Sequence, residues 1–521
     1  MVETGEITRA AGVVGAATLL SRIFGFLRDM IVAQLFGAGM ATDAFFVAFR
    51  IPNLFRRLVG EGALTASFIP VYSEYLSQRS KEESEQLVHT AFSLLAAFLL
   101  VLTGVGIIFS PWIVKLMAYG FSQEPEKFQL TVLLNRLMFP YMFFIGLVAL
   151  VMGILNSLKH FAGPALAPVL LNISIITCAL TLSRFFPEPI ISLAIGVVIG
   201  GIAQFLFQIP FLRHKGIRLR WHWQLSHPGV KRIGLLMAPS ILGLAVTQLN
   251  VLVNTLLASY LPEGSISYLY YADRLLEFPM GIFAIAIATA VLPSLSEHAA
   301  QKDIPALKET LAFALRLTFF VTLPAMAGLI VLRYPIINLL FQRGAFDAHS
   351  AAMTAQALLF YAVGLAAFAG VRIIVPAFYS LQDTQTPVNI AIVALLANAA
   401  LGALLMFPLQ HGGLALATSL SAGLNFALLV LFLRRKLGRM GAAKVAVSFL
   451  KNFSASILLG IVCYGVISLG SWTTAGLTIS KIFLLLASIG AGTGTYALVC
   501  RVWGCAELQT VMELIRGKVR K

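Results

Sequence analysis

A chain of 521 residues with 59% hydrophobic and only 12% charged residues, at a mean hydropathy of +0.88, is too apolar for a soluble globule, whose apolar share is roughly 45 to 50%. Its net charge of +16 reads on such a chain as a topology and anionic-headgroup signal and calls for no nucleic-acid partner. The four cysteines, Cys178, Cys463, Cys500 and Cys505, show neither C-x-x-C nor Cys/His spacing, which argues against a disulfide framework or a metal site.

The first residues carry Glu3 and Glu6 and run straight into an apolar block, so no cleavable signal is expected. Apolar runs broken at Pro, Gly and charge clusters predict an all-α polytopic membrane protein of about fourteen helices. Helices 1 to 6 fall near 8–36, 41–60, 84–110, 128–157, 162–183 and 189–212, and helices 7 to 12 near 232–260, 266–296, 305–332, 349–380, 386–407 and 412–434. Helices 13 and 14 follow near 446–470 and 477–503.

Basic residues concentrate in the connections after even-numbered helices: Arg79 and Lys81, Lys159, Arg213 to Arg232, Lys302 and Lys308, and Arg434 to Lys444. The tail adds Arg516, Lys518, Arg520 and Lys521, whereas the odd-numbered connections hold mainly Lys127, Arg184, Arg333 and Arg343. The positive-inside rule then places both termini in the cytoplasm.

The chain also repeats itself. P-x-x-S-E at Pro70 returns at Pro293, and S-L-x-x-x-x-x-P at Ser157 returns at Ser380, each pair 223 residues apart; the run from Pro111 matches that from Pro335 at 224. Six helices separate the copies, so both enter the membrane in the same direction and the repeat is parallel. The expected organisation is an N-lobe over 1–230 (helices 1–6), a C-lobe over 231–440 (helices 7–12), and helices 13 and 14 with a basic cytoplasmic tail over 441–521, the two lobes enclosing a central cationic cavity.

Charges sit where lipid tails are expected. With helix 1 starting near Thr8, Arg22 lies roughly 20 Å along it at about 1.5 Å per residue, close to mid-membrane. Helix 1 adds Arg28 and Asp29, helix 2 adds Asp43, Arg50, Arg56, Arg57 and Glu61, and helix 8 adds Asp273, Arg274 and Glu277. A central Arg facing lipid costs roughly 2.5 to 3.5 kcal/mol on the insertion scale, so these groups face a wet cavity or one another. Arg28 lies about 120° round from Arg22 on an ideal helix, and a bend or local unwinding at Gly25 would bring both to one cavity. Guanidinium groups suit a diphosphate, because the planar fork donates paired hydrogen bonds and keeps its charge. The alternative is a set of salt bridges through Asp29, Asp43, Asp273 and Glu277 that holds helices 1, 2 and 8 together.

The segment FGAGMATDAFFVAFRIPNLFRRLVGEGALTASFIP (36–70), with SRIFGFLRD before it and YYADRLLEFPMGI (270–282) in the second lobe, closely resembles the MurJ, or MviN, family of bacterial lipid II flippases within the multidrug/oligosaccharidyl-lipid/polysaccharide exporter superfamily. The resemblance covers essentially the whole chain. It implies fourteen helices in the inner membrane, two six-helix lobes around a cavity, and helices 13 and 14 lining a hydrophobic groove for an undecaprenyl tail. It implies a transporter and not an enzyme, moving lipid II from the cytoplasmic to the periplasmic leaflet by alternating access, as part of peptidoglycan biosynthesis, cell-wall biogenesis and cell shape.

Carried over position by position, the family's cavity arginines fall on Arg22, Arg28, Arg56 and Arg274, and supporting cavity or gate positions on Ser21, Asp29, Asp43, Arg50, Asn53, Glu61, Asp273, Glu277 and Arg372. A sodium site of some relatives uses a helix 7 carboxylate; here helix 7 offers Gln248, Asn250 and Asn254 instead. No cofactor or metal is expected, and in the absence of a G-x-x-x-x-G-K-[ST] sequence the energy source is the membrane potential or a monovalent ion rather than ATP. Expected partners are lipid II and membrane lipids, with cell-wall synthesis proteins as candidates and the monomer as working unit. The readings set against this are a drug/cation antiporter or another lipid-linked oligosaccharide exporter of the same superfamily, a polyprenyl-diphosphate transferase, which would need clustered acidic residues for Mg²⁺, and a scaffold for wall-synthesis enzymes.

Overall fold

The computed structural model describes residues 2–439, 441–472, 474–476 and 478–515, and among them every regular element is a helix. Two compact units divide the chain, Met1–Ile266 and Ser267–Lys521.

The first unit opens with α1 (Val2–Phe36), an unbroken helix of 35 residues. The unwinding anticipated at Gly25 does not occur; Gly25 is buried and the helix continues through it. α2 (Met40–Phe55) does not end near residue 60 as the glycines and charges suggest. It passes through a π-helical segment, Arg56–Ala63, into α3 (Leu64–Gln78). A wider π turn absorbs what the sequence presents as a stop, and such bulges recur at functional positions. α4 (Lys81–Ile108) starts three residues ahead of its apolar run because Ser80 and Glu83 form a reciprocal capping box.

A short α5 (Ser110–Met117) precedes α6 (Pro125–Met138) and α7 (Pro140–Ser157), which together make one span, and α8 (Ala162–Leu182) packs on both α1 and α9 (Ile191–His214). Glycines set the α8–α9 approach: a Cβ on Gly196 would lie 2.9 Å from the Ile175 Cα, and one on Gly200 3.0 Å from the Leu171 Cα. Small residues let two membrane helices come this close. α10 (Pro228–Ala258) closes the unit against α3, its first turn capped by His227, whose Nδ1 accepts from Gly229 N at 3.1 Å. Burial, reinforced by His222, pushes the His227 pKa down and keeps the neutral, accepting ring. Phe68, Tyr72, Leu87, Leu150, Ile154 and Leu212 form the core that ties α3, α4, α7 and α9 together.

The second unit begins its helices with α11 (Ser265–Pro279), a π-helical segment Met280–Ala284, and α12 (Ile285–Ala300). α13 (Ile304–Leu340) follows, then α14 (Ala348–Val363) and α15 (Leu365–Ser380), bent by 43° at Gly364. The two helices expected over 386–407 and 412–434 both lie within α16 (Gln385–Leu437), which divides into two at a kink where Gln410 has non-helical backbone. α17 (Ala442–Ile467), α18 (Ile479–Val502) and a short α19 (Ala506–Ile515) complete the unit. α19 is held by Glu507, 4% exposed, which accepts from Ser448 Oγ at 3.0 Å and lies 3.6 Å from Arg316. The basic tail from Arg516 onward lies outside the described residues.

Among the described residues eight helices are long and apolar enough to cross a membrane, and the bent α14–α15 pair makes a ninth; α16 alone covers two expected spans. Outside that set are α1, α2 to α3, α10, and α11 to α12, the last two contributing only the shorter apolar stretches Gln248–Ala258 and Ile285–Ala300. The count of fourteen therefore rests on the sequence. All four cysteines are buried and free.

The repeat is visible in local geometry. Both copies carry a π segment, at Arg56–Ala63 and Met280–Ala284. Both end a helix at the S-L pair with a left-handed residue, Lys159 at φ 57° and Gln382 at φ 60°. His160 N reaches Leu155 O at 2.8 Å and Lys159 N reaches Asn156 O at 3.0 Å; Asp383 N and Gln382 N reach Phe378 O and Tyr379 O in the same pattern. That pair of bonds is a Schellman C-cap, here built without glycine.

Candidate substrate site

In the first unit the basic side chains differ in how they are held. Arg22 on α1 is exposed and makes no hydrogen bond or ion pair with any described residue. Six residues on, about 9 Å along the helix axis, Arg28 is 7% exposed. Its Nε and Nη2 donate to Asp29 Oδ1 at 3.0 and 2.7 Å, and its Nη1 donates to Asn172 Oδ1 at 3.1 Å. Asn172 Nδ2 in turn donates to the carbonyl of Ser21 at 3.3 Å, so α8 clamps the guanidinium and the α1 backbone with one amide. A buried charge needs both a counter-ion and neutral acceptors, and Arg28 has each.

On α2, Arg50 donates through Nη1 to Thr255 Oγ1 of α10. Arg56, at the start of the π segment, donates through Nε and Nη2 to Asn53 Oδ1 at 3.1 and 2.9 Å. The wide turn and the one-turn-back amide together fix where this guanidinium stands. The Glu61 side chain, and with it any i, i+4 pair to Arg57, lies outside the described residues.

Asp43 is 1% exposed and takes Lys127 Nζ at 3.3 Å and Gly264 N at 2.8 Å, both on Oδ2. This corrects the sequence reading of Lys127 as a basic residue in an external connection. The side chain sits in the first turn of α6, 1% exposed, with its ammonium 4.3 Å from the Phe121 ring centroid. Met40 N at the head of α2 donates to Glu263 Oε1 at 2.5 Å, so the 263–264 turn is tied to α2 twice.

In the second unit Arg274 on α11 donates to Glu277 Oε2 at 2.8 Å and lies 5.7 Å from the Tyr270 ring centroid. Asp273 is exposed, as is Arg372 on α15. The pairs Arg28–Asp29 and Arg274–Glu277 are each formed within one helix and orient the guanidinium they hold. Gln248, Asn250 and Asn254 of α10 are partly buried.

A cleft of about 440 Å³ in the second unit is lined almost wholly by apolar groups, among them Met326, Ile330 and Val331 of α13 and Phe453, Ile457 and Ile461 of α17. Among the described residues α18, the expected helix 14, contributes none to this cleft. α18 packs along α17, leaving helix 9 to face helix 13 across the cleft.

Helices with built-in guanidinium groups, of which Arg28, Arg56 and Arg274 are oriented by a neighbouring carboxylate or amide, favour an anionic cargo over a cation. A family model described as lipid II flippase MurJ matches residues 32–486. The chain belongs to the MurJ family of lipid II flippases. A relative described as a probable lipid II flippase MurJ in Vibrio cholerae is 38% identical over 508 residues, 96% of each chain. The lipid II flippase MurJ of Burkholderia cenocepacia is 40% identical over 435 residues, covering 83% of this chain and 84% of its own. The solved structure of a lipid II flippase MurJ in an inward closed conformation superposes with a TM-score of 0.79 at 28% identity, over 94% of this chain and 98% of the other. The chain is thus a multi-pass membrane transporter of MurJ fold.

Sequence reasoning missed three groups, two that hold arginines and one that holds the head of α2. Asn172, alone in the apolar run PVLLNISII, carried a signal, since a lone amide in a spanning helix needs a partner. Thr255 and Glu263 carried none, because their partners are 205 and 223 residues away.

Proposed function

We propose that this MurJ-family protein moves lipid II, an undecaprenyl-diphosphate-linked disaccharide pentapeptide, from the cytoplasmic to the outer leaflet of the bacterial inner membrane, with both of its termini in the cytoplasm. Arg22, Arg28, Arg56 and Arg274 bind the diphosphate; Asp29, Asn172 and Asn53 position Arg28 and Arg56; the α13–α17 cleft accepts part of the polyprenyl tail. Alternating access between the halves related by the repeat carries the headgroup across, without a covalent step and driven by the membrane potential or a monovalent ion. The protein works as a monomer, with cell-wall synthesis proteins as its neighbours.

Besides family membership, the observation that carries this reading is Arg22. A guanidinium about 30 Å from the start of α1 and about 20 Å from its end, exposed and without a partner among the described residues, is costly in lipid and useful only to an anion that reaches it. Replacement of a depleted chromosomal copy by Arg22→Ala tests the assignment. Loss of growth with a normal amount of protein in the membrane supports it, and full growth refutes it.

A further inference from the structure

The connection between α9 and α10, residues 215–227, is largely exposed, with Ile217 and His227 buried, yet it is not loose. It is strapped along the first turns of α4 by main-chain and side-chain bonds. His89 Nε2 lies 2.8 Å from Arg218 O, His222 N donates to Ser93 Oγ at 2.8 Å, and Gln86 Nε2 donates to Gln224 Oε1 at 2.9 Å. The strap nevertheless holds its largest apolar side chains outward: Trp221 is 64% exposed, Trp223 60% and Leu225 80%. The two indoles are stacked, centroids 6.1 Å apart and 14° from parallel, and Trp221 leans on Phe92 of α4 at 5.4 Å.

The position of Phe92 sets the depth of this pair. α4 begins with Lys81, Glu82, Glu83 and Glu85, whereas from Phe98 onward its outward residues are apolar, Phe98, Leu100 and Val101 being 60 to 65% exposed. Phe92 stands between those zones, where a helix leaves the headgroups and enters hydrocarbon. Indoles favour that level.

The charge on the strap is one-sided. Arg213, Lys215, Arg218 and Arg220 are all exposed, none has a side-chain partner among the described residues, and 213–225 contains no acidic residue. We infer that this strap is a binding surface for anionic phospholipid headgroups, with Trp221 and Trp223 seated at the interface and Arg218 and Arg220 donating to phosphate oxygens. A soluble protein partner would need the indoles in water. Their level against Phe92 and the unbroken basic charge favour the lipid surface.

The test uses the full-length protein reconstituted in neutral phosphatidylcholine vesicles with or without phosphatidylglycerol. The fluorescence of wild type minus that of Trp221→Phe/Trp223→Phe isolates the pair, and both replacements are mild because the residues are exposed. The difference signal should be quenched by phospholipids brominated high on the acyl chain and should shift to the blue when phosphatidylglycerol is added. Arg218→Gln/Arg220→Gln should abolish that shift and lower retained phosphatidylglycerol, counted by native mass spectrometry, roughly tenfold. Its melting temperature should be unchanged. Quenching by aqueous acrylamide but not by brominated lipid would overturn the inference and make the strap a water-facing protein surface. An undiminished phosphatidylglycerol response in the double arginine variant would overturn it as well.

Discussion

Lys127 Nζ lies 3.3 Å from Asp43 Oδ2, and both side chains are 1% exposed. The same oxygen accepts from Gly264 N at 2.8 Å, so one carboxylate joins the head of α2, the first turn of α6 and the turn before α11. Removing one partner of a buried pair costs roughly 3 to 5 kcal/mol, because the other charge is left without compensation. Lys127→Ala should therefore lower the melting temperature of the purified protein sharply. Asp43→Asn/Lys127→Met, which removes both charges, should recover most of the loss; a double variant no better than Lys127→Ala would show that the pair is not what holds this corner.

The four proposed diphosphate arginines should behave differently from the loop cations. Arg22→Ala, Arg28→Ala, Arg56→Ala and Arg274→Ala should each fail to support growth while membrane levels stay near normal, and Arg79→Ala and Lys81→Ala should be silent. Asn172→Leu removes the α8 anchor of the Arg28 side chain and keeps the guanidinium and its bonds to Asp29. A charge-assisted hydrogen bond contributes about 1.5 to 3 kcal/mol, so a single arginine loss should weaken lipid II binding by roughly ten- to a hundredfold. Asn172→Leu should fall between that and wild type. Failure through degradation alone would favour a structural role for these charges.

Much of this architecture is legible in the order of residues, and the exceptions have physical causes. Helix positions follow from apolar run length and from Pro and Gly, and the early start of α4 is written in S-x-x-E at Ser80. The continuation of α2 through Gly60 and Gly62 is not, because a π turn accommodates there what would elsewhere end a helix. Lys127 misleads because it stands beside Glu124 and Glu126 and looks like part of a solvated connection; only the fold brings Asp43, 84 residues earlier, to its ammonium. The left-handed caps at Lys159 and Gln382 are hidden too, since neither residue type favours that conformation. Their offset, the same as that of the sequence motifs, is what exposes the shared geometry.

Close packing of α8 on α9 gives a prediction about residues away from every charge. Gly196→Ala or Gly200→Ala places a Cβ about 3 Å from a backbone Cα of α8, which forces the helices apart. Overpacking of this kind costs typically 1 to 3 kcal/mol. Thermal unfolding should report it, while a change at Gly234, whose Cβ would meet nothing within 4 Å, should leave stability unaltered apart from backbone entropy.

The connection after α15 carries an acid-sensitive contact. Burial alone would raise the Asp383 carboxyl, but hydrogen bonds from Lys436 and Thr386 outweigh it and hold the pKa at about 2. A carboxylate depressed in the folded state stabilises fully above its unfolded pKa of about 4, and that contribution disappears as pH falls through the folded value. Asp383→Asn should therefore lower the melting temperature at neutral pH by a small amount, on the order of 1 kcal/mol given the half-exposed lysine. The gap between variant and wild type should narrow between about pH 4 and pH 2; a gap independent of pH would show that charge is not its origin.

The central claim, that this protein carries lipid II across the membrane, is tested most directly by the leaflet in which lipid II resides. In cells depleted of the protein and supplied with wild type, an externally added enzyme that cleaves lipid II should find its substrate; in depleted cells, and in cells supplied with Arg22→Ala, lipid II should accumulate and stay protected. Undiminished cleavage in depleted cells would contradict the account, because the substrate would then be crossing without this protein.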